Sequence, residues 1–446
     1  MKQLINYRLF IFCYFTSCGG LLTAQTQFGS QQIIDSTVYG VTKIVTADID
    51  NDGFLDIITS QKYFNNNKIS YFLNSGSSTF GSQIILTTNV NSSEGIAVAD
   101  IDDNGWNDIV AISHNPTKVI WFPNSSNGFS SEVLIDSDLT LPEDVEIADI
   151  DNDGDLDIIV LDHFNIVVYY NLGGGNFNKV TTPNNQFEYY AFSIADLDDD
   201  GFKDIIIGSG PVLVYMNNNG SFTTHDTNRS NSISNNGFCF MTHTADLDGN
   251  GTKDLIIDGN SSSEIVWYSN DGNGFFTLEQ TLDFTTQCKS VSAADFNNDG
   301  NLDVFASLFQ EGEVALYHNN GMGNFGNKQL ISTGNIAHTV VTSTADLNND
   351  GKTDIIWAHP LSFHLNTSVL GLDDYSVTNP TSVFPNPAEN QLYIDNIKHH
   401  NYTIIDMTGK VLLQGIYKES IDVSSLSKGL YLLKMGNETA VKFLKL

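Results

Sequence analysis

Hydrophobic and polar positions follow one repeating pattern along most of the chain. Residues 148–162 read ADIDNDGDLDIIVLD, an acidic turn that runs directly into a strand of aliphatic side chains. The pattern returns with its first Asp at positions 48, 100, 149, 196, 246, 295 and 346, at spacings of 47 to 52 residues. Seven copies at so regular a period indicate a repeat architecture in which each copy is one structural unit.

Each period also predicts the strands of its unit. The aliphatic run is followed by an aromatic strand that ends in Asn or a turn, such as IVVYYN or IVWYSN, and in most copies by a strand that begins with Phe, such as FGSQIIL. Strand patterns between Gly, Asn and Ser turns, with no helical periodicity, give four short strands per period. Four-stranded units at this spacing are typical of β-propeller blades. The sequence therefore predicts an all-β, seven-bladed propeller over residues 25–368.

The two ends of the repeat region predict how the ring closes. The seventh copy stops after its third strand, at LSFHLNTS, and the segment FGSQQII at 28–34 precedes the first copy. We expect this N-terminal strand to complete the last blade, which also covers a strand edge that would otherwise favour aggregation. Ala precedes the first Asp in all seven copies, and a small side chain fits the narrow axis of a propeller.

The acidic turns have the spacing of a cation-binding loop. Each reads D-x-[DN]-x-[DN]-G-x-x-D. Side-chain oxygens at positions 1, 3, 5 and 9 and the carbonyl at position 7 can surround one Ca²⁺, while Gly at position 6 permits the bend. A solvated acidic turn is the alternative for one loop, but seven loops of crowded like charges need a cation. Oxygen ligands favour Ca²⁺ over transition metals.

The predicted ligands form seven equivalent sets, for up to seven structural Ca²⁺. The side-chain ligands are Asp48, Asp50, Asp52 and Asp56; Asp100, Asp102, Asn104 and Asp108; Asp149, Asp151, Asp153 and Asp157; Asp196, Asp198, Asp200 and Asp204; Asp246, Asp248, Asn250 and Asp254; Asp295, Asn297, Asp299 and Asp303; and Asp346, Asn348, Asp350 and Asp354. The carbonyl ligands are those of Phe54, Trp106, Asp155, Phe202, Thr252, Asn301 and Lys352.

The net charge of the chain excludes two kinds of partner. The 446 residues include 53 acidic and 20 basic side chains, a formal charge of −33. A field of this sign repels nucleic acid and anionic lipid. Disorder is the other common reason for high net charge, but 41% hydrophobic and 11% aromatic residues indicate a folded core.

The first 24 residues predict a secretory signal peptide. Two basic residues precede LFIFCYF, which begins an apolar stretch too short to span a bilayer, and Ala24 offers a cleavage point. Acylation of Cys18 is the lipoprotein alternative, and no later segment predicts a membrane span. Cleavage leaves Cys239 and Cys288 at matching positions of adjacent copies. Export permits a disulfide between them, and the sequence leaves that question open.

The seven copies, over about residues 28–368, resemble FG-GAP/VCBS-type repeats, the Ca²⁺-loop blades also found in integrin α-subunit propellers. The resemblance implies structural ions on one face of the disc, and says little about function. After a linker at 369–380, residues 381–446 predict a small β-sandwich. Its segments FPNPAEN, DMTGKV and LSKGLYLLK resemble the C-terminal sorting domain of type IX secretion in Bacteroidetes. This implies export across the outer membrane, with the tail cleaved or used for attachment; an accessory binding sandwich is the alternative.

A ligand would bind on the face opposite the metal loops. The loops between second and third strands, and those between blades, occupy that face and vary in sequence. Polar and aromatic side chains there suit a carbohydrate or a peptide, although ordinary surface residues have the same composition. The candidate residues are His114, His163, Glu188, Tyr189, Tyr190 and Arg229.

Two functional hypotheses follow from different classes of protein. The first is a secreted or cell-surface propeller that binds a glycan or a protein, as in adhesion. The alternative is a polysaccharide lyase acting on uronate polymers, with His163, Tyr190 and Arg229 as candidates for β-elimination. The sequence contains no nucleophile elbow, paired glycosidase signature or zinc constellation. A structural surface protein without a small ligand is a third interpretation.

Overall fold

The computed structural model of the protein describes residues 26–62, 67–76, 78–91, 95–182, 188–189, 191–222, 226–233, 239, 241–259, 264–284, 288–308, 313–333, 341–368, 382–395, 401–405, 410–418, 420–435 and 441–446. The predicted signal peptide at 1–24 and the predicted linker at 369–380 lie outside these residues. The chain divides into two compact units, residues 1–371 and 372–446.

The first unit is all-β, as the sequence predicts. Its first strand is β1 (Gln32–Asp35). The first three blades then follow in chain order, each an antiparallel sheet of four sequential strands. Their strands are β2 (Val41–Ala47), β3 (Asp56–Gln61), β4 (Lys68–Phe72) and β5 (Ile84–Thr87); β6 (Ile96–Ala99), β7 (Asp108–His114), β8 (Thr117–Phe122) and β9 (Val133–Asp136); and β10 (Pro142–Ala148), β11 (Asp157–Asp162), β12 (Asn165–Asn171) and β13 (Phe177–Thr182).

The remaining four blades complete the ring. Among its described residues the fourth has three strands and a short helix, and the seventh takes its fourth strand from the start of the chain. Their elements are β14 (Ala191–Ala195), β15 (Asp204–Gly208), β16 (Leu213–Tyr215) and α1 (Thr227–Ser232); β17 (Thr242–Ala245), β18 (Asp254–Gly259), β19 (Glu264–Asn270) and β20 (Phe276–Phe284); β21 (Cys288–Ala294), β22 (Asp303–Leu308), β23 (Glu313–Tyr317) and β24 (Gln329–Thr333); and β25 (Thr342–Ala345), β26 (Asp354–Ala358) and β27 (Leu361–His364).

The hydrophobic core is divided into layers between adjacent blades. The second strand of a blade is covered on both faces, so that all six residues of β11 are buried. This explains why the sequence after each acidic turn is continuously aliphatic rather than alternating. One layer joins Ile159 of the third blade to Ile205 and Tyr215 of the fourth. Another joins Ile57 of the first blade to Ile356 of the seventh, so the packing continues around the closed ring.

The N-terminal strand supplies the outer strand of the seventh blade. β1 pairs antiparallel with β27, with Gln32 opposite Phe363 and Ile33 opposite Ser362. The pairing continues beyond β1, because the Gly29 N–H donates to the Leu365 carbonyl at 2.8 Å. The last blade is therefore built from both ends of the repeat region.

The fourth blade departs from the expected four strands. The segment after β16 forms α1, which begins because the Asp226 side chain accepts the N–H groups of Asn228 and Arg229. Asp226 also donates its own N–H to the Val214 carbonyl at 2.7 Å, and Ser230 Oγ accepts the Val214 N–H at 3.0 Å. The helix thus satisfies the edge of β16 that a fourth strand covers elsewhere.

The second unit contains two small antiparallel sheets around one core. Leu392, Ile404, Leu433 and Phe443 are among the buried residues that the two sheets share. One sheet has the order β28-β29-β32 and the other β31-β30-β33-β34. The strands are β28 (Ser382–Phe384), β29 (Gln391–Asp395), β30 (Asn401–Ile405), β31 (Val411–Ile416), β32 (Ile421–Asp422), β33 (Gly429–Met435) and β34 (Val441–Lys445).

The two cysteines of the described residues are both buried thiols. Cys239 Sγ donates to the Met241 carbonyl at 3.1 Å, and Cys288 Sγ makes the same contact with the Ser290 carbonyl. They belong to separate core layers, so the disulfide that the sequence left open is not formed.

Candidate metal centres and ligand face

The acidic loops connect the first and second strands of every blade and share one backbone conformation. Position 4 has a positive φ in all seven loops, between +55° and +74°, and is always Asn, Asp or Gly. Gly at position 6 has φ between +80° and +99° in all seven. Left-handed conformations disfavour most side chains, which explains the residue types at both positions. The requirement at position 4 was visible in the sequence but was not recognised there.

Backbone donors hold the loop carboxylates in place. The N–H of Gly at position 6 donates to the carboxylate at position 1 in all seven loops, at 2.7 to 3.1 Å. The N–H of position 7 donates to the side-chain oxygen at position 5, at 2.7 to 3.0 Å. Each loop is therefore shaped before any ligand arrives. The role of the position 7 carbonyls as ligands stays a prediction.

Carboxylates at positions 1, 3 and 9 converge in five of the loops. In each, one oxygen from every member lies within 4.8 Å of the others. The five groups are Asp48, Asp50 and Asp56; Asp100, Asp102 and Asp108; Asp149, Asp151 and Asp157; Asp196, Asp198 and Asp204; and Asp246, Asp248 and Asp254. Among the described residues the sixth and seventh loops form no such group, because Asn297 and Asn348 stand at position 3.

Several of these oxygens are buried without a donor. They are Oδ1 of Asp102, Asp149, Asp151, Asp196 and Asp198. A buried carboxylate oxygen without a hydrogen bond is costly, and a cation at the centre of the loop would remove that cost. Burial also raises the pKa of Asp56 to about 6 and that of Asp204 to about 7. Because the loop carboxylates are crowded and partly buried, they would be stabilised by a cation, and the residues of the loops fit a bound metal ion.

An asparagine at or just after the end of each third strand joins neighbouring loops. We call these residues the clasp asparagines; they are Asn74, Asn124, Asn171, Asn217, Asn270, Asn319 and Asn366. The backbone N–H of each donates to the position 9 carboxylate of its own blade, at 2.6 to 2.9 Å. Its side-chain Nδ2 donates to the position 2 carbonyl of the preceding blade, at 2.6 to 2.8 Å.

The clasp asparagines close a continuous ring of contacts. Asn74 of the first blade donates to the Leu347 carbonyl of the seventh, so no blade lacks this bond. Since position 2 lies between two predicted ligands, each loop is braced by the blade that follows it. The sequence showed Asn at the end of most third strands, but the carbonyl that it reaches belongs to another blade and could not be read from one period.

The predicted ligand-face residues do not form one site. His114 ends β7, and His163 lies between β11 and β12, so both are at the end of the blades opposite the metal loops. Glu188 is exposed there. Tyr189 is instead buried, and its hydroxyl contacts the Tyr215 hydroxyl at 2.7 Å within the core. Tyr190 lies outside the described residues.

Arg229 lies at the metal-loop end of its blade rather than on the opposite face. Its guanidinium is 3.7 Å from Asp198 Oδ2, a predicted ligand of the fourth loop, and 2.9 Å from Asp226 Oδ2. The guanidinium also stacks over the Phe275 ring. Arg229 lies at this end because α1 carries the chain along the edge of the blade toward the metal loops. The candidate lyase residues His163 and Arg229 are thus at opposite ends of their blades.

A cavity of about 730 Å³ is lined by the innermost strands. Its wall includes Lys43, whose Nζ is 3.1 Å from Asp144 Oδ1 and 3.9 Å from Glu146 Oε1 on another blade. Glu143, at the start of β10, lines the cavity, and its Oε1 lies 3.9 Å from His163 Nδ1. His163 therefore stands near the cavity mouth on the face opposite the metal loops.

The other side of the cavity wall carries Lys203 together with hydrogen-bonded hydroxyls and a neutral imidazole. Ser193 Oγ donates to Thr242 Oγ1 at 2.9 Å. Burial, with Lys253 nearby, lowers the pKa of His243 to about 4, so its Nε2 accepts the Ala293 N–H at 3.3 Å. The cavity thus combines charged side chains of the first, third and fourth blades with hydroxyls of the fourth to seventh blades.

Family comparisons agree with this architecture. Six overlapping segments, 48–111, 100–160, 149–207, 196–257, 246–306 and 295–357, match the FG-GAP-like repeat. They cover more than half of the chain, which therefore belongs to the FG-GAP-like repeat proteins. Residues 382–446 match the secretion system C-terminal sorting domain. The protein is accordingly exported by type IX secretion to the cell surface or beyond, and no helix among its described residues is long and apolar enough to cross a membrane.

Solved structures share the fold at low sequence identity. A lectin from Agrocybe aegerita, described as recognising non-reducing terminal N-acetylglucosamine, is 23% identical with a TM-score of 0.51, covering 68% of this chain and 82% of the lectin. Two crystal structures of BBS1N in complex with ARL6DN are 10% and 9% identical with TM-scores of 0.54 and 0.52, each covering 78% of this chain and 99% of the other. No curated protein matches the chain.

Proposed function

We propose that the protein is a secreted or cell-surface, calcium-binding propeller that recognises a glycan or a protein ligand without transforming it. The cavity of about 730 Å³ along the innermost strands carries this proposal. Its size is typical of small-ligand sites, and its mixture of hydroxyls, carboxylates and the ammonium groups of Lys43 and Lys203 can exchange hydrogen bonds with sugar hydroxyls. Export places this wall where extracellular glycans and surface proteins occur.

Calcium is the proposed ion because every predicted ligand in the loops is an oxygen. Carboxylates, amide oxygens and a backbone carbonyl suit Ca²⁺, whereas Mg²⁺ prefers fewer protein ligands and a rigid octahedron. In six of the seven loops the position 9 carboxylate also accepts two backbone N–H groups, so the ion would connect the loop to the second strand. Up to seven ions in this arrangement would stabilise blades rather than react.

The likeness to the Agrocybe aegerita lectin supports glycans as the first ligands to test. That likeness is one of fold, so the ligand of the lectin is not carried over as such. The lyase hypothesis receives no support from the geometry, because His163 and Arg229 cannot act on one sugar unit from opposite ends of the blades.

A glycan array probed with the calcium-loaded, full-length exported protein tests the ligand proposal. We expect binding that falls about 10- to 100-fold in Glu146→Gln, which replaces one carboxyl oxygen of the cavity with an amide nitrogen. Glu279→Gln, on the exposed strand β20, is the matched control and should bind as the wild type does. Equal binding by both variants would place the site elsewhere. Absence of binding to glycans and to cell-surface proteins would reject the proposal.

The calcium proposal has an independent readout. Calcium content after dialysis, measured by atomic emission, should approach seven ions per chain, and chelation should lower the melting temperature. Asp157→Asn, which changes a position 9 ligand, should remove one ion, whereas Asp138→Asn at an exposed turn should remove none. A chelated protein with unchanged melting would refute the stabilising role.

A further inference from the structure

Strand β10 places three carboxylates at the cavity, where one lysine of another blade reaches them. Glu143, Asp144 and Glu146 line the cavity of about 730 Å³, as does Lys43 of the first blade. Lys43 Nζ donates to both oxygens of Asp144, at 3.1 and 3.2 Å, and lies 3.9 Å from Glu146 Oε1. These carboxylates thus accept an ammonium group that the protein itself supplies.

The second blade lets Lys43 reach the third blade because it presents no side chain at this point. Gly95, directly before β6, lies so close to β10 that an added Cβ would be 2.9 Å from Val145 N and 3.1 Å from Asp144 Cα. A larger residue at this position would therefore displace β10. The contact between Lys43 and Asp144 crosses a gap that Gly95 leaves open.

The carboxylates in this part of the wall outnumber the cations that face them. Lys43 neutralises one of the three, and a proton on His163, which is 3.9 Å from Glu143, would neutralise a second. Lys203, the other lysine of the wall, belongs to the fourth acidic loop at the metal-loop end. Among the described residues Glu146 has only the longer contact to Lys43, and its side chain is 43% exposed. The wall can therefore accept one more cation at Glu146.

The arrangement of these carboxylates suits an organic cation better than a metal ion. In five acidic loops three carboxylate oxygens lie within 4.8 Å of one another, whereas Glu143, Asp144 and Glu146 form no such group among the described residues. An ammonium does not need this convergence, because its three N–H groups donate in separate directions. A ligand ammonium could donate to Glu146 beside the contact between Lys43 and Asp144.

The opposite part of the wall favours a sugar as the carrier of that ammonium. Ser193 Oγ donates to Thr242 Oγ1 at 2.9 Å, and the hydroxyls of Ser290 and Thr342 form a second pair. A hydroxyl both donates and accepts, so each pair can exchange hydrogen bonds with the hydroxyls of a sugar ring. The alkyl stem of a lysine side chain has no group that could bond to them.

We propose that the cavity binds a glycan with free amino groups, whose ammonium donates to Glu146 and competes with Lys43 for Asp144. The inference rests on the proposed function, because it names the class of glycan that the same cavity takes. The formal charge of −33 also attracts a polycationic glycan to the protein.

Calorimetric titration of the calcium-loaded, full-length exported protein with two matched ligands tests the inference. One is a short oligomer of glucosamine, and the other is its N-acetylated form, which has the same length and linkage but no ammonium. We expect the wild type to bind the amine form about 10- to 100-fold more tightly at neutral pH. Glu146→Gln should abolish most of this preference, and the Glu279→Gln control should keep it. Lys43→Met, which frees Asp144, should strengthen binding of the amine form about tenfold and leave that of the acetylated form unchanged.

Equal affinity of the wild type for the two oligomers would overturn the inference, whether or not any variant folds. An amine preference that survives in Glu146→Gln would also overturn it. So would an oligolysine peptide that binds as tightly as the amine oligomer, because the acidic wall would then be a peptide site. Binding of other glycans but of neither oligomer would overturn the inference and leave the proposed function intact. Absence of binding to every glycan and cell-surface protein would instead defeat the proposed function.

Discussion

Replacing one clasp asparagine should weaken two blades at once. Asn171 is 1% exposed, and its Nδ2 donates to the Ile101 carbonyl of the second blade at 2.8 Å and to the Leu156 carbonyl of its own blade at 3.1 Å. Asn171→Leu keeps the branching at Cγ and removes both bonds that Nδ2 donates, together with the Oδ1 acceptor of the Gly173 N–H. An unsatisfied buried polar group costs about 1–3 kcal/mol. The Ile101 contact is fully buried and the Leu156 contact partly buried, so we expect the free energy of unfolding to fall by about 3–4 kcal/mol.

The same substitution should also affect an ion site in the neighbouring blade. Ile101 lies between Asp100 and Asp102, so losing the contact at its carbonyl loosens the second loop, which contains Trp106. Terbium can replace calcium, and a nearby tryptophan sensitises its luminescence. The signal of the second loop is the part of this luminescence that is lost in Trp106→Phe. We expect Asn171→Leu to weaken this terbium signal more than tenfold.

The assays are denaturant unfolding in calcium and the terbium titration, with Asn178→Leu on the exposed strand β13 as the control. That variant should change the free energy of unfolding by less than about 0.5 kcal/mol. If Asn171→Leu unfolds like the control, or if terbium binding at the second loop is unchanged, the clasp asparagines do not join blades energetically.

Three further predictions concern pH, closure and loop shape. Burial raises the pKa of Asp56 to about 6 and that of Asp204 to about 7, above the values in the unfolded chain, so the folded chelated protein binds more protons than the unfolded one. Its free energy of unfolding should therefore fall as pH rises from about 4 to 7. Calcium added at pH 7 should reverse the loss. Chelated melting that is independent of pH would contradict this. Deleting residues 25–35 exposes the edge of β27 and should abolish cooperative melting; an unchanged transition would show that β1 is dispensable. Gly154→Ala, at φ +99° with no atom within 4 Å of the added methyl, should cost about 1–2 kcal/mol through backbone strain alone, measured against a Gly210→Ala control.

The sequence predicted the features that recur in every blade and missed those that occur in one blade alone. The period, the buried second strands and the loop carboxylates recur seven times, so each copy supports the others. The replacement of a strand by α1 depends on the cap that Asp226 provides and on Val214, a partner on the preceding strand. No periodicity reports such a local event, and it changed the expected position of Arg229.

Contacts between distant parts of the chain were also beyond the sequence. The sequence placed Tyr189 among the ligand-face candidates of an inter-blade loop, but its hydroxyl contacts that of Tyr215, 26 residues away, inside the core. The Lys43–Asp144 contact joins the first and third blades, which only the closed ring brings together. The recurrence of the clasp asparagines could have been noticed in the sequence, but the carbonyls to which they donate could not have been predicted from it.

The closure of the seventh blade has a mechanical consequence. The Thr367 N–H donates to the Gln27 carbonyl at 2.8 Å, so the chain leaves the propeller toward its sorting domain beside the point where the ring begins. If the protein were held at a surface through that domain, a pulling force would act first on the paired segments at Gln27 and Thr367. Tension would separate the Gln27–Thr367 contact and then reach Asn366, whose side chain holds the Phe296 carbonyl of the sixth blade at 2.7 Å. The force would thus be passed to a neighbouring blade instead of peeling the last one alone.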